Sequence, residues 1–192
     1  MNTMLKQGDH FPSIKLGLTN GSHIIIPDEI SSRYAVLVFY RGHWWTYCNQ
    51  QLAEWERNFN ELRELGAVVY AISVDNLEEA DIVSDFAPNL NIAYGASKIQ
   101  SDLVGAWWSD SGSYIEPTEF ILGRGGIILG SMYASGPVGR MSPTDVINLI
   151  KSRESGRQWT WRGNFKITID KDSNAHCPKR YLFNRSCKNV QR

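Results

Sequence analysis

Six apolar positions in a row, Ala35 to Tyr40, are followed after a polar turn by Leu52, Trp55, Phe59 and Leu62 at helical spacing. An unbroken apolar run of that length predicts a strand covered on both faces, and the change to a three-to-four-residue period predicts an amphipathic helix with one buried stripe. The helix is expected from about Thr46 to Leu65, stopped by Gly66. Ala67 to Val74 is a second apolar run, which predicts a strand parallel to the first.

Weaker periodicities fill in the rest. Asn76 to Phe86 predicts a helix, Asn91 to Tyr94 a short strand and Ser101 to Trp108 a short helix. Glu119 to Leu122 and Ile127 to Tyr133 flank Gly123-Arg124-Gly125-Gly126, whose glycines permit a hairpin turn. Ser142 is placed as the cap of a last helix with Pro143 at its first position and Val146, Ile147, Leu149 and Ile150 as its apolar residues. At the other end, Ser13 to Leu18 and His23 to Ile26 flank an Asn20-Gly21 turn and read as a hairpin. Alternating strands and helices followed by a late antiparallel hairpin make the expected class α/β, with a mixed central sheet and an N-terminal β-hairpin.

Composition changes this picture at one place. The 192 residues, 42% of them hydrophobic, suit one compact domain. The formal charge is zero, yet residues 156–192 hold nine Lys/Arg against Asp170 and Asp172, so residues 1–155 are correspondingly acidic. The expected division is a domain over 1–155 and a basic extension over 156–192, in which Phe165 to Ile169 alone has strand character. Such a tail is read as solvated, and a nucleic-acid role is not expected of it; such a role would show as binding that falls steeply with salt. No apolar run approaches the roughly 18 residues that span a membrane, and Met1 to His10 has no apolar signal segment, so a cytoplasmic protein is expected.

Three cysteines, Cys48, Cys177 and Cys187, are too few for a disulfide framework. His176, Cys177 and Cys187 lack the paired C-x-x-C that would close a zinc site, so neither a metal nor an organic cofactor is expected. Cys48 is different in placement. It stands where a buried strand ends and a helix begins, and the free N–H groups of a helix's first turn stabilise an anion, drawing a thiol below its ordinary value of about 8.5. This predicts a reactive sulfur open to small oxidants. The competing reading is a small buried hydrophobe on the helix's inner face.

Three segments carry a resemblance. Phe39-Tyr40-Arg41-Gly42-His43-Trp44-Trp45-Thr46-Tyr47-Cys48 resembles the strand-to-helix segment of peroxiredoxin-like proteins of the alkyl hydroperoxide reductase / thiol-specific antioxidant family. Ile72-Ser73-Val74-Asp75 with Glu78-Glu79 is similar to the segment that follows in such proteins. Ile115-Glu116-Pro117-Thr118-Glu119-Phe120-Ile121-Leu122 is similar to the thioredoxin-fold segment whose cis proline faces the active cysteine. The resemblance spans roughly residues 5–153. It implies a thioredoxin-like three-layer α/β/α fold, with Cys48 as peroxidatic nucleophile and Pro117 in a cis peptide beside it.

Departures from the family are as informative. Position 45 is usually cysteine in the related subgroup and threonine in typical peroxiredoxins, but is Trp45 here, so dithiol exchange within this loop is excluded. Thr46, one residue away, is expected to cap the helix by accepting from the N–H of Cys48 or Asn49. The family's second active-site arginine has no match between Tyr114 and Phe120, which leaves Arg41 or Arg124 to place positive charge near the sulfur. His43 is open as a partner for Cys48 or as an ordinary loop histidine, and Trp44 and Trp45 as lining of a substrate pocket or as packing.

The function these residues imply is a thiol peroxidase acting on a small hydroperoxide, with Cys48 reduced by an external thiol of the thioredoxin or glutathione type, or by Cys177 or Cys187 if the tail folds back. A homodimer is left open. The rival is a thioredoxin-fold binding or scaffold protein that has lost turnover through Trp45.

Overall fold

The computed structural model describes residues 3–156, with the backbone of 160–161 and 165–166. Two compact units are distinguished, Met1–Ser155 and Gly156–Arg192. In the second, strands Thr160–Trp161 and Phe165–Lys166 pair antiparallel. Cys177, Cys187 and the rest of the basic extension lie outside the described residues, as do the suggestions made for them.

In the first unit the hairpin strands β1 (Ile14–Leu18) and β2 (His23–Ile26) precede β3 (Tyr34–Phe39). Helix α1 (Thr46–Arg57), helix α2 (Phe59–Glu64), β4 (Ala67–Ile72), helix α3 (Leu77–Phe86), β5 (Asn91–Tyr94) and helix α4 (Lys98–Val104) follow. A small ribbon of β6 (Trp108–Ser109) and β7 (Tyr114–Ile115) leads to β8 (Thr118–Leu122), β9 (Ile128–Tyr133) and helix α5 (Pro143–Glu154). Seven strands form one sheet in the order β2-β1-β5-β4-β3-β8-β9. β3 runs parallel to β4 and antiparallel to β8, so the mixed α/β sheet with an N-terminal hairpin is the one expected.

β3 shows why the sheet is central. Its alternate residues Val36 and Val38, with Tyr40, enter a core shared with Cys48, Leu52 and Trp55 of α1 and Val146, Ile147 and Ile150 of α5. Ala35, Leu37 and Phe39 enter a second core on the opposite face, with Leu16, Ile72, Val104 and Phe120. Side chains alternate between faces with a period of two, so only an uninterrupted apolar run can supply both layers.

Several boundaries differ from the sequence reading. The expected Thr46 to Leu65 helix is two helices, because Asn58 leaves helical geometry (φ −97°, ψ 5°) and its Nδ2 donates to the Glu54 carbonyl. A side-chain amide that bonds its own backbone competes with the helix ladder, which pattern alone does not reveal. The Ser101 to Trp108 helix is displaced to Lys98–Val104, where Ser97 forms a capping box with Gln100 and Gly105 ends it at φ 71°. Trp108 thereby falls in the small ribbon and Trp107 in the loop ahead of it. Glu116–Pro117 is not cis; the one cis peptide among the described residues joins Ile26 and Pro27. Pro117 is a buried trans proline just ahead of β8, which is flanked by β3 and β9 and is not an edge.

Asn76 caps α3 as expected of a helix start, accepting from the Glu79 N–H while Glu79 accepts from the Asn76 N–H. Asn76→Ala removes one side of this box and is expected to lower stability by about 1 kcal/mol. Urea unfolding checks it: the midpoint falls while the slope is unchanged.

Candidate active site

Register sets the site. β3 and β8 pair Phe39 with Thr118 and Val38 with Glu119, which brings the Glu116-Pro117 turn against the residues that leave β3 toward α1. Cys48 is the third residue of α1, and no acidic side chain in that first turn competes for its N-terminal field. The N–H groups of Cys48 and Asn49 both donate to the Trp45 carbonyl, at 2.9 and 3.1 Å. Thr46 is therefore not the cap. It is the first helical residue and exposed, while Trp45 holds the cap position with backbone alone.

The expectation of an open sulfur is corrected: Cys48 has 0% exposure and lies in the core cluster under α1. The surroundings are not wholly apolar, however. Arg140 Nη2 donates to Cys48 Sγ at 3.2 Å across 92 residues of sequence, its Nη1 donates to the Pro137 carbonyl, and its Nε is buried without a partner. Arg140 is thus a positive charge in hydrogen-bond contact with the sulfur. The buried Tyr40 hydroxyl is pushed well above its ordinary value, first by burial and further by the Asp75 charge, against the lowering effect of Ser73.

Arg41, the expected cation, is committed elsewhere. Its Nε and Nη2 donate to Glu116 Oε2 at 3.0 and 2.8 Å, and its guanidinium lies 4.7 Å from the Trp45 ring centroid and 5.0 Å from that of Tyr114. Trp44 packs edge-on against both Trp45 and Tyr114, and is half exposed. Arg41, Trp44, Trp45 and Glu116 thus form one cluster that fixes Pro117 and the start of α1 relative to each other. Arg124, the alternative cation, lies in the turn between β8 and β9.

His43 pairs with Asp75 instead of Cys48. Its N–H donates to Asp75 Oδ2 at 2.8 Å and its Nδ1 lies 3.2 Å from Asp75 Oδ1, while Ser73 also donates to Asp75. Gly42 permits this closeness, because a Cβ there would meet Asp75 Oδ1 at 2.8 Å and Trp44 Nε1 at 2.6 Å. His43, Asp75 and Glu79 bring possible metal-ligating atoms within 4.8 Å of one another. Hydrogen bonds within the chain already engage all three, Glu79 through the helix cap.

Glu119 completes the neighbourhood. It is 1% exposed; Gln51 Nε2 donates to its Oε1 at 2.7 Å and the Met141 N–H to its Oε2 at 2.9 Å. Burial pushes its carboxyl up to about 7, against the lowering effect of those two bonds and of the Arg140 charge. A recess of ≈ 350 Å³ lined by Leu18, Asn20, Asp81, Ser84 and Asn89 lies apart from these residues.

Arg140 and Glu119 are the site residues that sequence reasoning missed, and both left a signal. Arg140 is the only charged residue between Arg124 and Asp145, inside a Gly-Pro turn. Glu119 is a lone carboxylate in a strand whose five residues are all buried, and an ionisable group placed there needs a partner.

The fold is shared with solved peroxiredoxins at low identity. Peroxidoxin BcpB of Mycobacterium tuberculosis superposes with a TM-score of 0.67 at 16% identity, over 78% of this chain and 98% of that one. AhpC of Enterococcus faecalis gives 0.69 at 15%, over 82% and 99%. Reduced Prx3 of Vibrio vulnificus, in complex with hydrogen peroxide, gives 0.68 at 13%, over 77% and 99%. No curated protein sequence matches the chain. The AhpC/TSA family matches residues 7–130, which hold β1 through β8, the start of β9, Cys48 and Glu119. By that match the chain belongs to the AhpC/TSA family and has the family's thioredoxin-like fold.

Proposed function

We propose that this protein is a thiol-dependent peroxidase in which Cys48 is the nucleophile and Arg140 the cation that stabilises its thiolate. The observation that carries the reading is the 3.2 Å contact between Arg140 Nη2 and Cys48 Sγ. Hydrogen peroxide, the ligand of the Vibrio vulnificus relative, or a small organic hydroperoxide is the substrate. The thiolate attacks one peroxide oxygen, the O–O bond breaks, and the other oxygen leaves as hydroxide or alkoxide and takes up a proton. Sulfur loses two electrons and becomes a sulfenic acid. One external thiol then condenses with the sulfenic acid, releasing water, and a second thiol attacks the mixed disulfide to restore Cys48. Trp45 stands where a second loop cysteine would be, so the reductant is taken as an external thiol of the thioredoxin or glutathione type.

Charge developing on the departing oxygen is the step that needs a cation. Arg140 supplies it at a partly buried contact, where a fixed charge acts more strongly than in water. Arg41, Trp44 and Trp45 position the turn, Pro117 brings β8 beside it, and His43 holds the loop to Asp75. Thr46 is exposed and has no direct part. Since Cys48 has no exposed surface, peroxide reaches the sulfur only when the 134–141 loop or the first turn of α1 moves aside.

That same closure favours a second reading, a binding protein whose sulfur is structural and whose Trp45 fills the space of the family's smaller residue. Peroxide consumption with a thiol reductant separates the two. Cys48→Ser is expected to abolish consumption, and equal activity in parent and variant overturns Cys48 catalysis. Arg140→Met is expected to lower kcat/KM about a hundredfold while the protein stays folded by circular dichroism. Trp45→Thr is expected to raise kcat/KM by widening access; turnover only in this variant, with an inert parent, establishes the binding protein.

A further inference from the structure

Resting on that reading, we propose that Glu119 is a positioning residue for Cys48: it ties the cysteine's helix to the arginine's loop and competes with the thiolate for the single positive charge of Arg140. One oxygen takes Gln51, one turn beyond Cys48 on α1, and the other takes the N–H of Met141, the residue after Arg140. The carboxylate is therefore the joint that holds the Arg140 guanidinium at the sulfur.

The charges make the joint responsive to pH. Arg140 is the charged side chain whose field reaches Glu119; across the sheet, Val38 of β3 and Met132 of β9 pair with it, and from α5 Val146 and Ile147 enter the same core, all uncharged. Arg140 therefore stands between two acidic groups. When either is an anion it draws on the same positive charge, and ionisation of the other is opposed. Near neutral pH the Glu119 carboxyl changes charge. Its protonated form leaves Arg140 to the sulfur, and its ionised form draws the guanidinium's field away.

Glu119→Gln isolates the charge. With the Gln51 amide turned over, the new side chain accepts from the Met141 N–H and donates to the Gln51 oxygen, so both bonds persist. The experiment is the ultraviolet absorbance of the thiolate against pH, taken as the difference between each protein and its own Cys48→Ser counterpart, which removes Cys177 and Cys187. The expected result for Glu119→Gln is a midpoint lower by about one pH unit, or about tenfold more thiolate below the midpoint. In an Arg140→Met background the two acidic groups share no cation, so the same substitution is expected to move the midpoint by less. An unchanged or raised midpoint, or an equal shift in both backgrounds, overturns the proposal. Should Glu119→Gln not fold, the parent's own curve decides: two coupled groups broaden it beyond single-site width, and a single-site curve overturns the coupling. Absorbance reads the thiolate whether or not peroxide is consumed, so a failed peroxidase assay with a shifted midpoint sinks only the function.

Discussion

A guanidinium and a buried sulfur, 3.2 Å apart at a partly buried contact, are the interaction on which the rest of this site depends. At an effective dielectric of about 20, opposite unit charges at that distance attract by about 5 kcal/mol. Removing an ion from water costs several kcal/mol, so the gain and the cost are of the same size. Small differences in geometry or neighbouring charge decide whether Cys48 is a thiol in a core or a nucleophile beside a cation.

The architecture supplies that geometry from distant parts of the chain. β3 ends in the turn that starts α1, and β8 lies beside β3, so the segment after β9 returns over the first turn of the helix. Arg140 arrives on that return. Its loop is held at one point by the Met141 N–H on Glu119 and at another by the Arg140 bond to the Pro137 carbonyl. Rigid sheet residues thus orient a cation carried by a loop, an arrangement in which the anchors matter as much as the cation itself.

How much of this was legible depends on which interactions are local. The β3 run and the α1 stripe were readable because period and burial are properties of neighbouring residues. Ser142, Pro143 and Asn91 to Tyr94 were readable for the same reason, and the order of segments located the cysteine at its turn. The break at Asn58 depends on one side chain choosing a backbone carbonyl. The Arg140 contact depends on two residues 92 positions apart, which no spacing rule joins. The partners of Arg41 were not readable because an arginine two residues past a strand carries no sign of them, and only β7 and the turn ahead of β8 bring Tyr114 and Glu116 to it.

The two arginines then explain one another. Trp45 puts a large ring where the family has a small side chain, and Arg41 lies on that ring with its charge neutralised by Glu116. A cation stacked between two aromatics and paired with a carboxylate is well satisfied and has little field left for a neighbour. The sulfur is consequently dependent on Arg140, whose Nε has no partner and whose charge is correspondingly available. Trp45 does more than fill space: by engaging Arg41 it leaves Arg140, on a loop, as the cation beside Cys48. A cation carried by a loop sits only as firmly as that loop is anchored, so the bonds of Met141 to Glu119 and of Arg140 to Pro137 govern its place at the sulfur.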